Sequence, residues 1–444
     1  MRKPVRISAI IVFIGWLLTG GLQAQGLFEQ SVSGGDNQAW SLSGYIRGLA
    51  WAGKTVDKEN IEPKALFSGG EINLLAKSGK FGDGKLSFRL RDGMENGYEP
   101  YGLDLREAYI HVHLGPVSLC TGRQIIAWGR ADSNNPTDLI TPKNPLFHSP
   151  DPDDIRMGNF LFNGKINVGT HIFFQGIWIP VYRPSIIPVT RDVLPPEMEV
   201  PAVQSPQKTL KNSGYAMKMD FTYPAVDFSL SWFDGFDPYP LFSFGGYKPV
   251  DSTFVPVIGE EPFREKIAGA DFSTTLGSFG VRGEVAYRQT KGYDHDIHVA
   301  LPDIRWVAGL DKTLGNLTMI VQYSGYCVTK FREVPEPGSG PAVMPDQMLL
   351  FYNRLMFRQT KRSQHTLSLH ATWSPGQENV NIEGYGETNL TTGESLIRAQ
   401  VKWNVSDGLS LTGGWQHFDG KQNTLYDLVG PLLNGLYMQC KICF

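Results

Sequence analysis

Past residue 24, this sequence of 444 residues has no apolar run approaching the roughly 18 residues that a membrane-crossing helix needs, so helical spanning is excluded. Cysteine is scarce: Cys120, Cys327, Cys440 and Cys443 are too few and too scattered for a disulfide framework. Cys440 and Cys443 read C-x-x-C, yet on a strand they point to opposite faces about 10 Å apart, beyond disulfide reach, so no redox motif is expected. Net charge is only −3, which implies neither nucleic acid nor an anionic surface as partner. Enzyme signatures are missing too. There is no G-x-S-x-G, no H-E-x-x-H and no phosphate-cradling loop, and Gly82-Asp83-Gly84-Lys85 reads as a hairpin turn. No catalytic residue, metal or cofactor is expected.

What is present begins with an export signal. Arg2, Lys3 and Arg6 precede an apolar stretch from Ile7 to Leu18, and Leu22-Gln23-Ala24 offers small residues for cleavage after Ala24. At the other end, Leu436, Met438, Cys440, Ile442 and Phe444 alternate with Tyr437, Gln439, Lys441 and Cys443. That gives one apolar and one mixed face on a strand that stops at an aromatic residue. Alternation recurs throughout. Leu86, Phe88 and Leu90 interleave with Ser87, Arg89 and Arg91; Ala108, Ile110, Val112 and Leu114 with Glu107, Tyr109, His111 and His113; Met217, Met219 and Phe221 with Lys218, Asp220 and Thr222. An ion such as Arg89 on a lipid-facing surface costs roughly 2–4 kcal/mol at the bilayer midplane, so the apolar members must face lipid and the polar members a lumen.

Short turns are expected at Gly79–Gly84, Gly115-Pro116, Asn167–Gly169, Pro224-Ala225, Gly277-Ser278, Leu314–Asn316, Lys361–Gln364 and Ser406–Gly408. Long loops are expected at 54–64, 92–101, 129–158, 180–213, 236–264, 291–302, 330–346, 375–394 and 419–434. Short turns on one side and long loops on the other indicate an all-β, transmembrane, antiparallel up-and-down β-barrel. The count is about 18 strands; 16 is the alternative if residues 159–180 form one strand instead of two. Residues 25–444 read as a single barrel domain. Trp128, Trp178, Trp232, Trp306, Trp373, Trp403 and Trp415 suit interfacial girdles, although some could pack inside the lumen.

The most distinctive stretch runs from Leu105-Arg106-Glu107-Ala108-Tyr109 through Gly122-Arg123-Gln124-Ile125-Ile126-Ala127-Trp128-Gly129-Arg130-Ala131-Asp132 to Asn135-Pro136-Thr137-Asp138 and Thr141-Pro142. Trp178-Ile179-Pro180-Val181-Tyr182-Arg183-Pro184 follows. These residues resemble a group of porin-like outer-membrane proteins patterned L-R-E-A-Y, G-K/R-Q-x-I-x-W-G-K/R-A-D and N-P-T-D, distantly related to alginate-export-type channels. The resemblance covers about residues 100–185. It implies a barrel in the outer membrane, transport, and in some relatives an inner-membrane lipid or efflux transporter as partner. It does not imply a substrate.

Residues 129–158 carry Arg130, Asp132, Asp138, Lys143, Asp151, Asp153, Asp154 and Arg156 among turn-fixing prolines and asparagines. We read them as a constriction loop folded into the lumen; the alternative is an ordered external loop held by Arg–Asp pairs. With Arg89, Arg91, Glu107 and Arg123 they form the candidate pore set. His111 and His113 share a strand face at a spacing that suits one metal ion, but lack a third ligand nearby in sequence and are read as lumen-lining polar residues. Three functional readings result: a channel for small polar solutes or exported material, a non-transporting structural or adhesive barrel, and, with least support, an outer-membrane enzyme. Partners are outer-membrane lipid and the barrel-assembly machinery, with Phe444 as the assembly signal. The mature protein should therefore fractionate with the outer membrane and run heat-modifiably on a gel; recovery as a soluble, helical periplasmic protein would end the barrel reading.

Overall fold

The computed structural model describes residues 39–54, 60–96, 102–132, 134–187, 205–250, 253–334, 345–376 and 379–444. The expected export signal, residues 1–24, lies outside the described residues. The strands are β1 (Trp40–Lys54), β2 (Ile61–Ser78), β3 (Gly82–Glu95), β4 (Gly102–Leu114), β5 (Val117–Gln124), β6 (Asn159–Val168), β7 (Ile172–Ile179), β8 (Gly214–Thr222), β9 (Val226–Phe236), β10 (Leu241–Val250), β11 (Thr253–Glu261), β12 (Arg264–Leu276), β13 (Phe279–Thr290), β14 (Asp303–Leu314), β15 (Leu317–Val328), β16 (Ser363–Trp373), β17 (Val380–Asn389), β18 (Ser395–Asn404), β19 (Leu409–Asp419) and β20 (Gly435–Cys443). Eighteen of them form one closed antiparallel sheet; β10 and β11 are a separate hairpin, so β9 pairs with β12. Residues 159–180 make two strands, which settles the count at eighteen.

The surface is inside-out. Leu90 is 54% exposed whereas its neighbour Arg89 is 7% exposed. Ile110, Met217, Met438 and Ile442 are likewise exposed, and Ser87, Glu71, Asp271 and Glu284 are buried on the inner wall. Trp373 and Trp403 lie toward the short-turn ends of their strands, and Trp232, Trp306 and Trp415 toward the long-loop ends, as two aromatic bands would. Trp128 belongs to neither band: it is buried inside the barrel.

Gly82-Asp83-Gly84-Lys85 is not a hairpin turn but the start of β3, paired on both sides, and two connections differ from expectation. Lys361–Gln364 is not a short turn, and 375–394 is not a long loop. Instead 329–362 is one long connection carrying a helix, α1 (Pro345–Met356), while β17 occupies the middle half of 375–394. The reasons are physical. Leu349, Asn353 and Met356 recur at helical spacing, and Leu349 and Met356 pack against Phe242 and Ile258 of the hairpin. Asn353 both donates to and accepts from the Phe242 backbone. On β17 the outward positions Val380 and Ile382 are followed by Gly384 and Gly386, whose absent side chains face open space, so the apolar stripe stops halfway along the strand.

The long-loop end has a second core. The hairpin, α1 and residues 293–301 pack through Leu241, Phe263, Val299, Ala300 and Phe357, and Arg354, fully buried, donates to the carbonyls of Ile297 and Val299. A further helix, α2 (Leu425–Leu433), is capped by Thr424.

The seam is β20 on β1, with Tyr45 opposite Cys443 and Ala52 opposite Leu436. Phe444 extends it: its N–H donates to the Gly44 carbonyl at 3.0 Å and its carbonyl accepts from Gly44 N–H at 2.9 Å. A Cβ at Gly44 would collide with the Glu71 carbonyl oxygen and lie 2.9 Å from the Phe444 ring, so glycine there makes room for both. Replacing Phe444 with Asp should cut the yield of assembled, heat-modifiable protein several-fold. Unchanged membrane yield would rule out a role for the terminal aromatic.

Candidate functional site: a charged loop across the lumen

Residues 125–158 join β5 to β6 and run inside the barrel, tied to strands on opposite walls. One wall is ionic. Asp154 sits in a short 3-10 turn whose N-cap is Asp151. Its carboxylate takes Arg47 of β1 at 2.6 Å, Arg89 of β3 at 2.6 Å and Arg106 of β4 at 3.0 Å, with the Ser149 hydroxyl donating at 2.6 Å. Glu71 of β2 balances the cluster, accepting from Arg89 and Arg106 at 3.2 Å each and from Ser87 at 3.0 Å. Phe147 lies among the guanidiniums of Arg47, Arg89 and Arg91, whose carbons stand 5.4, 5.0 and 4.3 Å from its ring centre. Burial pushes the Asp154 carboxyl up, but Arg47, Arg89 and the Ser149 hydroxyl outweigh it and hold the group below the ordinary carboxylate range.

Strict alternation would send one of Arg106 and Glu107 toward lipid. A β-bulge prevents this. On β3, Ser87 pairs with Glu107 and Phe88 with Leu105, leaving Arg106 as the extra residue. Both side chains then face inward: Arg106 to Asp154, and Glu107 to Lys85 and the Ile125 N–H, where the loop begins.

The other wall is apolar, then acidic. Trp128 and Ile140 of the loop pack on Leu161, Ile177, Ala216, Phe233, Ile267 and Ala286, the inner faces of β6 to β9, β12 and β13. The Trp128 indole N–H donates to Gln175 at 3.1 Å. Beside this patch Arg130 meets Asp271 at 2.5 Å, Asp220 at 3.5 Å and Asp227 at 3.7 Å. Glu284 caps the chain, accepting from the N–H and hydroxyl of Thr137 at 2.7 Å each and from the Arg130 N–H at 3.2 Å. Asp132 reaches His370 on β16 at 2.8 Å, and Asn134 donates to Glu387 on β17 at 3.3 Å.

Among the sequence-derived candidates, Arg89 and Asp154 meet directly. Asp138 is buried between Lys143 at 3.0 Å and Arg156 at 2.8 Å, so these three form one internal brace of the loop. Arg91 pairs with Glu95 at 2.5 Å, and Arg123 donates to the Leu105 carbonyl at 2.6 Å, away from the loop's charges. Glu107 takes Lys85, not Arg89 or Arg91, as its partner. Sequence reasoning missed Glu71, Asp271, Glu284, His370 and Glu387 as site residues. No motif marks them; their only signal is being the polar member of an alternating run on a distant strand. On the long-loop side a cavity of about 400 Å³ is lined by Asp138, Lys143, Asp237, Arg288, Arg305 and Arg358, a mixture of both signs.

The sequence matches no family model and no curated protein. Solved structures do resemble it. OccK5 (OpdH) of Pseudomonas aeruginosa superposes at a TM-score of 0.52 with 9% identity, over 93% of this chain and 99% of that one. OccK3 (OpdO) of the same organism gives 0.53 and 11%, over 91% and 95%. OccAB2 of Acinetobacter baumannii gives 0.53 and 8%, over 91% and 97%. At such identities the likeness is one of fold alone: a porin-like barrel.

Replacing Asp154 with Ala leaves Arg89 and Arg106 with Glu71 and leaves Arg47 with only the neutral Ser149 and Gln439, a loss of roughly 3–5 kcal/mol for a buried pair broken on one side. The loop's 144–156 segment should then become protease-sensitive while the barrel stays heat-modifiable. Because the folded Asp154 value is depressed, its contribution is fully present above the unfolded value of about 4 and is lost as pH falls through the folded one. Hydrogen exchange at 144–156, corrected for intrinsic rates, should therefore be flat from pH 7 to pH 5 and rise only in stronger acid.

Proposed function

We propose that this chain is an outer-membrane channel whose lumen is narrowed by residues 125–158 and which passes small polar solutes. One observation carries the reading: a loop bearing both charge signs lies across the inside of an eighteen-stranded barrel, anchored on opposite walls. A barrel of that size without filling encloses a wide aqueous lumen, so the loop sets what fits through. Arg130, Asp132, Asp138, Lys143, Asp154 and Arg156, with Arg89 on the wall, are the charges that line or brace the narrow zone. Short turns then face the periplasm and long loops the exterior, as in other barrels of this kind. The fold likeness to Occ channels supports this reading, and the apolar outer surface supports placement in the outer membrane. The motifs of residues 100–185 support kinship with export-type barrels and, through it, an inner-membrane lipid or efflux transporter as partner.

The density of contacts between loop and wall favours one second reading, a barrel plugged outright. Planar-bilayer recording separates the two. Deleting residues between Ala131 and Asp153 should raise single-channel conductance several-fold with heat-modifiability intact. Replacing Asp132 and Asp138 together with Asn should shift selectivity toward anions, since two fixed negative charges leave the passage. A shortened protein that conducts like its parent places the loop outside the conducting path, and a parent that does not conduct at all is a plug.

A further inference from the structure

His111 and His113 were two ligands in search of a third, and the register of the neighbouring strand supplies it. Asp83 on β3 pairs directly with His111 on β4. Its Oδ1 lies 3.3 Å from His111 Nδ1 and 3.3 Å from His113 Nε2. One donor atom from each of the three residues lies within 4.8 Å of the other two. We propose that Asp83, His111 and His113 form a three-ligand site for a borderline divalent cation of the Zn²⁺ class at the short-turn end of the lumen. The inference rests on the barrel fold and is independent of whether the lumen conducts.

The spacing argues for a tetrahedral ion. With ligands about 2.0–2.1 Å from the metal, the edge of a coordination tetrahedron is about 3.3 Å. Both carboxylate–imidazole separations already have that length, so an ion could enter with little movement. The backbone helps. Asp83 and His111 are fixed by the β3–β4 ladder, and His113 lies two residues on, on the same face. The rings of His111 and His113 meet edge-on with centres 4.2 Å apart. Two imidazoles and a carboxylate suit Zn²⁺ better than Ca²⁺ or Mg²⁺, which take mainly oxygen. All three side chains retain solvent access, at 27% for Asp83, 29% for His111 and 42% for His113, so the remaining position is open to water. Cys120 pairs with His111 from the other side on β5 but lies outside the 4.8 Å set, so it is not assigned as a ligand.

The test uses tag-free, full-length protein, folded in detergent, stripped with chelator, and titrated with ZnCl₂ by calorimetry and with CoCl₂ by visible absorption. The expected result is one ion per chain and an intense tetrahedral Co²⁺ spectrum. His111→Gln, His113→Gln and Asp83→Asn should each weaken binding about tenfold or more, because a ligand lost from a three-ligand site has no replacement. Heat-modifiability verifies the fold of each variant; if one fails to assemble, the other two still decide. A parent with no saturable Zn²⁺ binding, or folded variants that bind as the parent does, would overturn the site.

Discussion

Backbone that crosses hydrocarbon has no water to bond, so every N–H and C=O must be satisfied within the sheet. Here the condition is met at the seam, where β20 and Phe444 pair with β1 and remove both free edges at once. Much else follows from that closure. With lipid outside, the apolar member of each alternating pair must turn outward, and the polar member is forced into the lumen whether or not it has a use there. The inner wall therefore collects Arg47, Glu71, Arg89 and Arg106 on one side and Asp271 and Glu284 on the other. Removed from bulk water, these ions need partners, and the loop from β5 to β6 provides them.

The loop's two attachments are of different kinds. At Asp154 three arginines converge on one carboxylate, an arrangement that loses most of its worth when one member is removed. At Trp128 and Ile140 the contact is apolar and spread over six strands, so single substitutions there cost less in geometry and more in buried area. Arg106 reaches the ionic attachment only because of the β-bulge. Without the bulge opposite Ser87 it would point into lipid, and Asp154 would have two arginines instead of three. The L-R-E-A-Y segment is thus a case where a break in alternation, not alternation itself, builds the site.

Most of the fold was legible because period-2 alternation survives wherever one face meets lipid and the other meets water. Leu86 to Arg91 and Met217 to Thr222 read correctly for that reason. The pattern failed at β17, whose outward glycines carry no apolar signal, and at α1, whose helical spacing sits inside a loop long enough to hide it. The doubtful stretch 159–180 is the instructive one. Leu161, Ile177 and Ile179 face the lumen yet are apolar and interrupt the polar inner positions Asn159, Asn163 and Gln175, so the division into two strands blurs. Those residues are apolar because Trp128 and Ile140 cover them. Apolar residues on the inner face of a barrel strand are themselves a sign that something is packed inside.

The ionic half of the site was less accessible. Asp132 and His370 are separated by 238 residues in sequence and 2.8 Å in space, and no local motif encodes that meeting. The same holds for Arg130 with Asp271, and for Asp83 with His111, where the strand register decides which carboxylate stands beside which imidazole. Registers are set by turn length and by bulges, each a one-residue matter that shifts every partner downstream. Charged residues in a lumen can therefore be recognised from sequence by parity, but their pairing depends on the count of residues between them. In this barrel that count puts three cations on Asp154 and three anions around Arg130, so the loop spans the lumen between walls of opposite local excess.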